Sequence, residues 1–82
     1  MPRYVVERTF VDGLPVERYL AQVDRNTDEG VTWIHSYVSD DGRTYCVLDG
    51  PSPEAIRKAA AVNELPVDRI TRISVLDPYF RL

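Results

Sequence analysis

Val31–Gly50, VTWIHSYVSDDGRTYCVLDG, holds the chain's only Trp, His and Cys. It reads as two strands joined by Asp40-Asp41-Gly42. Gly after two Asp suits a three-residue hairpin loop with Gly42 in the left-handed region. That turn sets Ser39 opposite Arg43, Tyr37 opposite Tyr45 and His35 opposite Val47. Side chains alternate across a strand, so one face carries Trp33, His35, Tyr37, Tyr45 and Val47. The other carries Ile34, Ser36, Val38, Thr44, Cys46 and Leu48. Both faces are rich in apolar atoms and both need cover. Helices suit the aliphatic face; the aromatic face needs a further layer or forms a pocket.

Working outward, Arg3–Thr9 is rich in β-formers, with Val5, Glu7 and Thr9 on one face and Tyr4, Val6 and Arg8 on the other. Asp12-Gly13 breaks this strand. Pro15 opens a helix that Val16, Tyr19, Leu20 and Val23 continue at helical spacing, and Gly30 is its candidate cap. After the hairpin, Ser52-Pro53-Glu54 has the cap, first-turn Pro and acidic first turn of a second helix. Its inner stripe is Ala55, Ile56, Ala59, Ala60 and Val62, and Pro66 stops it. Val67–Leu76 reads as a last strand anchored by Ile70, Ile73 and Val75, with an imperfect alternation that suits a bulge or an edge. Tyr79, Phe80 and Leu82 are too apolar for a solvated end and are expected to dock. The element order is βαββαβ, the ferredoxin-like α+β plan of a four-stranded antiparallel sheet with two helices on one face. The uncovered aromatic face then calls for a second copy, giving a dimeric α+β barrel.

The 82 residues make one domain, residues 1–82, and a core this small gains from dimerisation. Thirteen acids against ten bases leave a net charge of -3, which argues against a nucleic-acid partner. One Cys forms no intramolecular disulfide, so a reducing cytoplasm is expected. MPRYVVERTF has no apolar h-region, and no run approaches a membrane span of about 20 residues.

His35 is the one imidazole, either packed and hydrogen-bonded, a metal ligand or a proton-transfer group. Glu7 shares its face if the first strand lies beside the hairpin with Val5 and Glu7 turned the same way; otherwise it is a solvated strand charge. Tyr37 and Tyr45 are packing partners or, with Trp33, pocket walls. Cys46 reads as a buried, inert thiol. No P-loop, GxGxxG, CxxC or HExxH occurs.

The blocks Val6-Glu7-Arg8-Thr9-Phe10, Trp33-Ile34-His35-Ser36-Tyr37-Val38, Thr44-Tyr45-Cys46-Val47, Pro51–Ile56 and Leu65–Ile70 together resemble a family of short bacterial proteins. Long catalogued as a domain of unknown function, that family includes an actinobacterial nickel-binding, nickel-responsive protein. The resemblance implies a ferredoxin-like fold, a homodimer, and Ni²⁺ binding for sequestration or detoxification. Nickel accepts imidazole nitrogen and carboxylate oxygen, which makes His35 the first candidate ligand and Glu7 the second. Two alternatives stand beside it. One is a small α+β-barrel enzyme of monooxygenase or isomerase type using His35 and Glu7 in an aromatic pocket. The other is a carrier of a small ligand. A solvent-reaching His35 favours the metal; a sealed one favours chemistry or ligand binding.

Overall fold

The computed structural model describes residues 2–10, 17, 20 and 30–79. Strands β1 (Arg3–Thr9), β2 (Thr32–Val38) and β3 (Arg43–Asp49) are followed by helix α1 (Pro53–Val62) and strand β4 (Arg69–Ile73). They form one antiparallel sheet in the order β2-β3-β1-β4. The architecture is α+β, and the described helix α1 supplies one layer. The helix expected from Pro15 to Val23 lies outside the described residues except at Glu17 and Leu20, both helical and exposed.

The hairpin follows its turn chemistry. Gly42 has φ +82°, and Ser39 N donates to Arg43 O at 2.9 Å. Ser39 Oγ donates to the Asp41 carboxylate, which also accepts from Arg43 N at 3.1 Å. The Ser39 hydroxyl is the main cause holding the Asp41 carboxyl below its ordinary range, with the Arg43 amide adding to it. Phe10 N donates to Gly42 O at 3.1 Å, tying the end of β1 to the turn.

α1 opens on Ser52, whose Oγ accepts from Ala55 N at 3.2 Å, with Pro53 in the first turn. It stops before Pro66 is reached. Leu65 N bonds Ala60 O and Glu64 N bonds Ala61 O, a Schellman closure with Glu64 left-handed at φ 57°. The inner stripe is narrower than expected: Ile56, Ala59 and Ala60 are buried, whereas Val62 is 49% exposed.

The core lies between α1 and one sheet face. Tyr4 and Val6 of β1 and Cys46 and Leu48 of β3 meet Val31, Ile56, Ala59 and Leu65 there. Arg8 is also buried on this side of β1, and its Nε donates to Pro66 O at 2.8 Å. β4 is shorter than the sequence suggests. Asp68 fixes where it begins, since its backbone N bonds Glu7 O at 2.8 Å and its carboxylate accepts from Thr9 Oγ1 at 2.7 Å. β4 ends at Ile73, and beyond it Asp77 makes an isolated backbone bridge before a turn at Pro78 and Tyr79. Val75 and Tyr79 are exposed rather than docked, and Phe80 and Leu82 lie outside the described residues.

Candidate functional site

The sheet face turned away from α1 carries every candidate ligand. Registers across β2, β3, β1 and β4 arrange it in rows. Thr32, Asp49, Arg3 and Ile73 form one end. His35, Val47, Val5 and Thr71 come next, then Tyr37, Tyr45, Glu7 and Arg69. The pairs His35–Val47 and Tyr37–Tyr45 are those the turn predicts. Glu7 does turn to the same face as Val5 and His35.

Trp33 does not. The register shifts between Trp33 and His35, so Trp33 pairs with Leu48 while His35 pairs with Val47. A bulge adds one residue and reverses the alternation. Ile34 occupies that irregularity and is 39% exposed instead of facing the core with Cys46. Trp33 packs against the core cluster, and its indole N–H donates to Ser36 Oγ at 2.9 Å. The aromatic wall expected from three rings therefore consists of Tyr37 and Tyr45 on the open face.

His35 is solvent-exposed on an edge strand, its ring edge-on to Tyr37 with centroids 5.1 Å apart. Glu7 is half-buried on a central strand, 3.9 Å from Arg69 Nε. The two candidates lie two strands and one row apart, roughly 10 Å across the sheet and 7 Å along it. β3 intervenes with Tyr45. The structure thus places both groups on one face but does not bring them together within one chain. Among the described residues no three His, Cys, Asp or Glu side chains converge. One chain offers Ni²⁺ a single imidazole, a donor it accepts readily, without a chelating set around it.

Sequence reasoning missed the arginines around Glu7. Arg69 reaches it from β4, and the exposed Arg43 lies beside Tyr45, with Asp41 and Glu7 further favouring its charged form. The β4 register that places Arg69 leaves no local signal. At the other end, Arg3 grips Asp49 through Nε at 2.7 Å and Nη2 at 3.1 Å. This hydrogen-bonded pair holds the Asp49 carboxyl below its ordinary range. Cys46 is fully buried, as expected.

Sheet, helix and open face define a small α+β protein with an antiparallel sheet covered on one side and an exposed imidazole on the other. The model of the family described as "Nickel responsive protein SCO4226-like" matches residues 4–73, and the chain belongs to that family. A crystal structure of SCO4226 from Streptomyces coelicolor A3(2) superposes with a TM-score of 0.80 at 19% identity, covering 92% of this chain and 99% of that one. That likeness establishes the shared fold. No curated protein matches. Among the described residues no helix is long and apolar enough to cross a membrane.

Proposed function

We propose that this chain is a cytoplasmic Ni²⁺-binding protein that works in nickel sequestration or detoxification, with His35 as its principal ligand. Membership of a family described as nickel-responsive supports nickel as the metal. The observation that carries the assignment to His35 is its exposure on the edge strand. A ligand for a metal taken from solution must be reached without opening the fold, and a sealed acid–base group need not be. The enzyme alternative loses support, because His35 and Glu7 share no site within one chain. Glu7 is a ligand only if another copy brings its partners, since in its own chain it faces Arg69.

The reading includes a ferredoxin-like βαββαβ domain with a second helix over residues 15–23. The strand order β2-β3-β1-β4 and the helical Glu17 and Leu20 support that plan. It also includes a homodimer built on the face away from α1, supported by the exposed Tyr37 and the half-buried Val5, Tyr45 and Ile73 there, although Val47 is already buried within one chain. Calorimetric titration with Ni²⁺, Co²⁺, Zn²⁺ and Cu²⁺ tests the function. Saturable Ni²⁺ binding is expected; no Ni²⁺ heat, with the fold intact, would refute it.

A further inference from the structure

The dipeptide Asp-Gly occurs at Asp12-Gly13, Asp41-Gly42 and Asp49-Gly50, and the last two pairs lie in the described residues. Asp-Gly is open to backbone isomerisation, because glycine has no Cβ to shield its amide nitrogen from the preceding carboxyl. The Gly nitrogen attacks the Asp Cγ. An N–Cγ bond forms, the Cγ–OH bond breaks, and the hydroxyl and the amide proton leave as water. The succinimide then takes up one water. Opening at Cγ restores aspartate; opening at the main-chain carbonyl leaves isoaspartate, with the chain routed through Cβ. The reaction needs a protonated carboxyl, so that water can leave, and a Gly nitrogen able to turn towards Cγ.

The two described bonds differ in what each must give up to react. The Asp49 carboxylate accepts from two Arg3 nitrogens, Nε at 2.7 Å and Nη2 at 3.1 Å, in an ion pair between β1 and β3. Gly50 is buried, and its N donates to Pro2 O at 3.1 Å. A Cβ there would stand 3.3 Å from Ile56 and 3.4 Å from Val31, so this backbone is packed against the core and turns only if the core opens. Asp41 instead is exposed at the tip of the hairpin. Its carboxylate is held by the Ser39 hydroxyl and the Arg43 amide, and Gly42 N donates to Ser39 O at 3.2 Å. These partners all belong to one exposed turn, and local bonds of that kind open without unfolding the rest.

We infer that Asp41-Gly42 is a bond at which the folded protein forms isoaspartate, and that the fold locks the identical Asp49-Gly50 pair against the same reaction. The Ser39 hydroxyl sets the rate at Asp41 by holding the carboxylate away from Gly42 N. Each event adds one backbone atom to the turn that fixes the β2–β3 register, so the lesion falls on the hairpin that carries His35.

Ageing the protein at neutral pH, then mapping its peptides with chromatographic separation of isoaspartyl from aspartyl forms, reads each bond by itself. Native wild type should isomerise at Asp41 at least about tenfold faster than at Asp49, the scale of one additional interaction to be opened. In concentrated urea both are plain Asp-Gly bonds, and the two rates should converge. Equal rates in the native protein, or a faster rate at Asp49, would overturn the inference. So would a difference that persists in urea, since its origin would then be the sequence and not the fold. Ser39→Ala, with its fold checked by circular dichroism, should speed isomerisation at Asp41 by about tenfold and leave Asp49 unchanged. An unchanged rate at Asp41 would refute the role given to Ser39.

Discussion

Gly42→Ala should cost the fold about 2 kcal/mol, and the reason divides into two measurable parts. Gly42 sits at φ +82°, where an L side chain is strained by about 1–2 kcal/mol. A Cβ there would also stand 3.2 Å from the Phe10 carbonyl oxygen, a backbone atom held by the Phe10 N to Gly42 O bond. Neither partner can swing aside as a side chain would. Gly30 isolates the first part: it too is left-handed, at φ +70°, but its Cβ would meet nothing within 4 Å. Gly30→Ala should therefore cost only about 1 kcal/mol. For a domain of this length those losses lower Tm by about 8–16 °C and 4–8 °C respectively. Urea unfolding at fixed pH, followed through Trp33 fluorescence, gives both values on one scale. Equal losses for the two variants would mean that the end of β1 does not press on the hairpin turn as described.

Two further outcomes follow from the same packing. Cys46 is fully buried on the helix-covered face, so thiol reagents should label it only on unfolding; rapid labelling of the native protein would contradict the placement of the β3 core face. Because Arg3 depresses the Asp49 carboxyl in the folded state, their pairing contributes stability above the ordinary carboxylate range and loses it as pH falls through the depressed value. Asp49→Asn should thus narrow its stability gap to wild type on acidification, measured by urea unfolding at neutral pH and at about pH 3; a constant gap would argue against the pair.

Much of this architecture is legible in the sequence because its signals are local. Asp40-Asp41-Gly42 dictates the turn, and the turn dictates which residues of β2 and β3 meet from Tyr37–Tyr45 back to His35–Val47. Ser52-Pro53 marks the start of α1 for equally local reasons. The bulge at Ile34 is different. Trp33 to Val38 alternates without interruption as text, and tertiary packing decides that the Trp33 ring joins the core. The start of β4 depends on Asp68 bonding Thr9 and Glu7, residues about sixty positions away. Distances between candidate ligands suffer most. Residue spacing puts Glu7 on the face of His35 only if the first strand lies beside the hairpin and is turned that way, and only the strand order shows β3 lying between them.

In the proposed function an exposed imidazole, not a surface carboxylate, holds the metal. Calorimetric Ni²⁺ titration of wild type, His35→Ala and Glu7→Gln tests it most directly, with urea unfolding of each as control. Imidazole ligation competes with protonation, so wild-type affinity should fall on acidification. His35→Ala should bind at least tenfold more weakly, about 1.4 kcal/mol, and Glu7→Gln should lose less. Stability should hardly change on removing His35, because its ring is exposed. A His35→Ala protein that binds Ni²⁺ as tightly as wild type would contradict the assignment and move the site to the carboxylates.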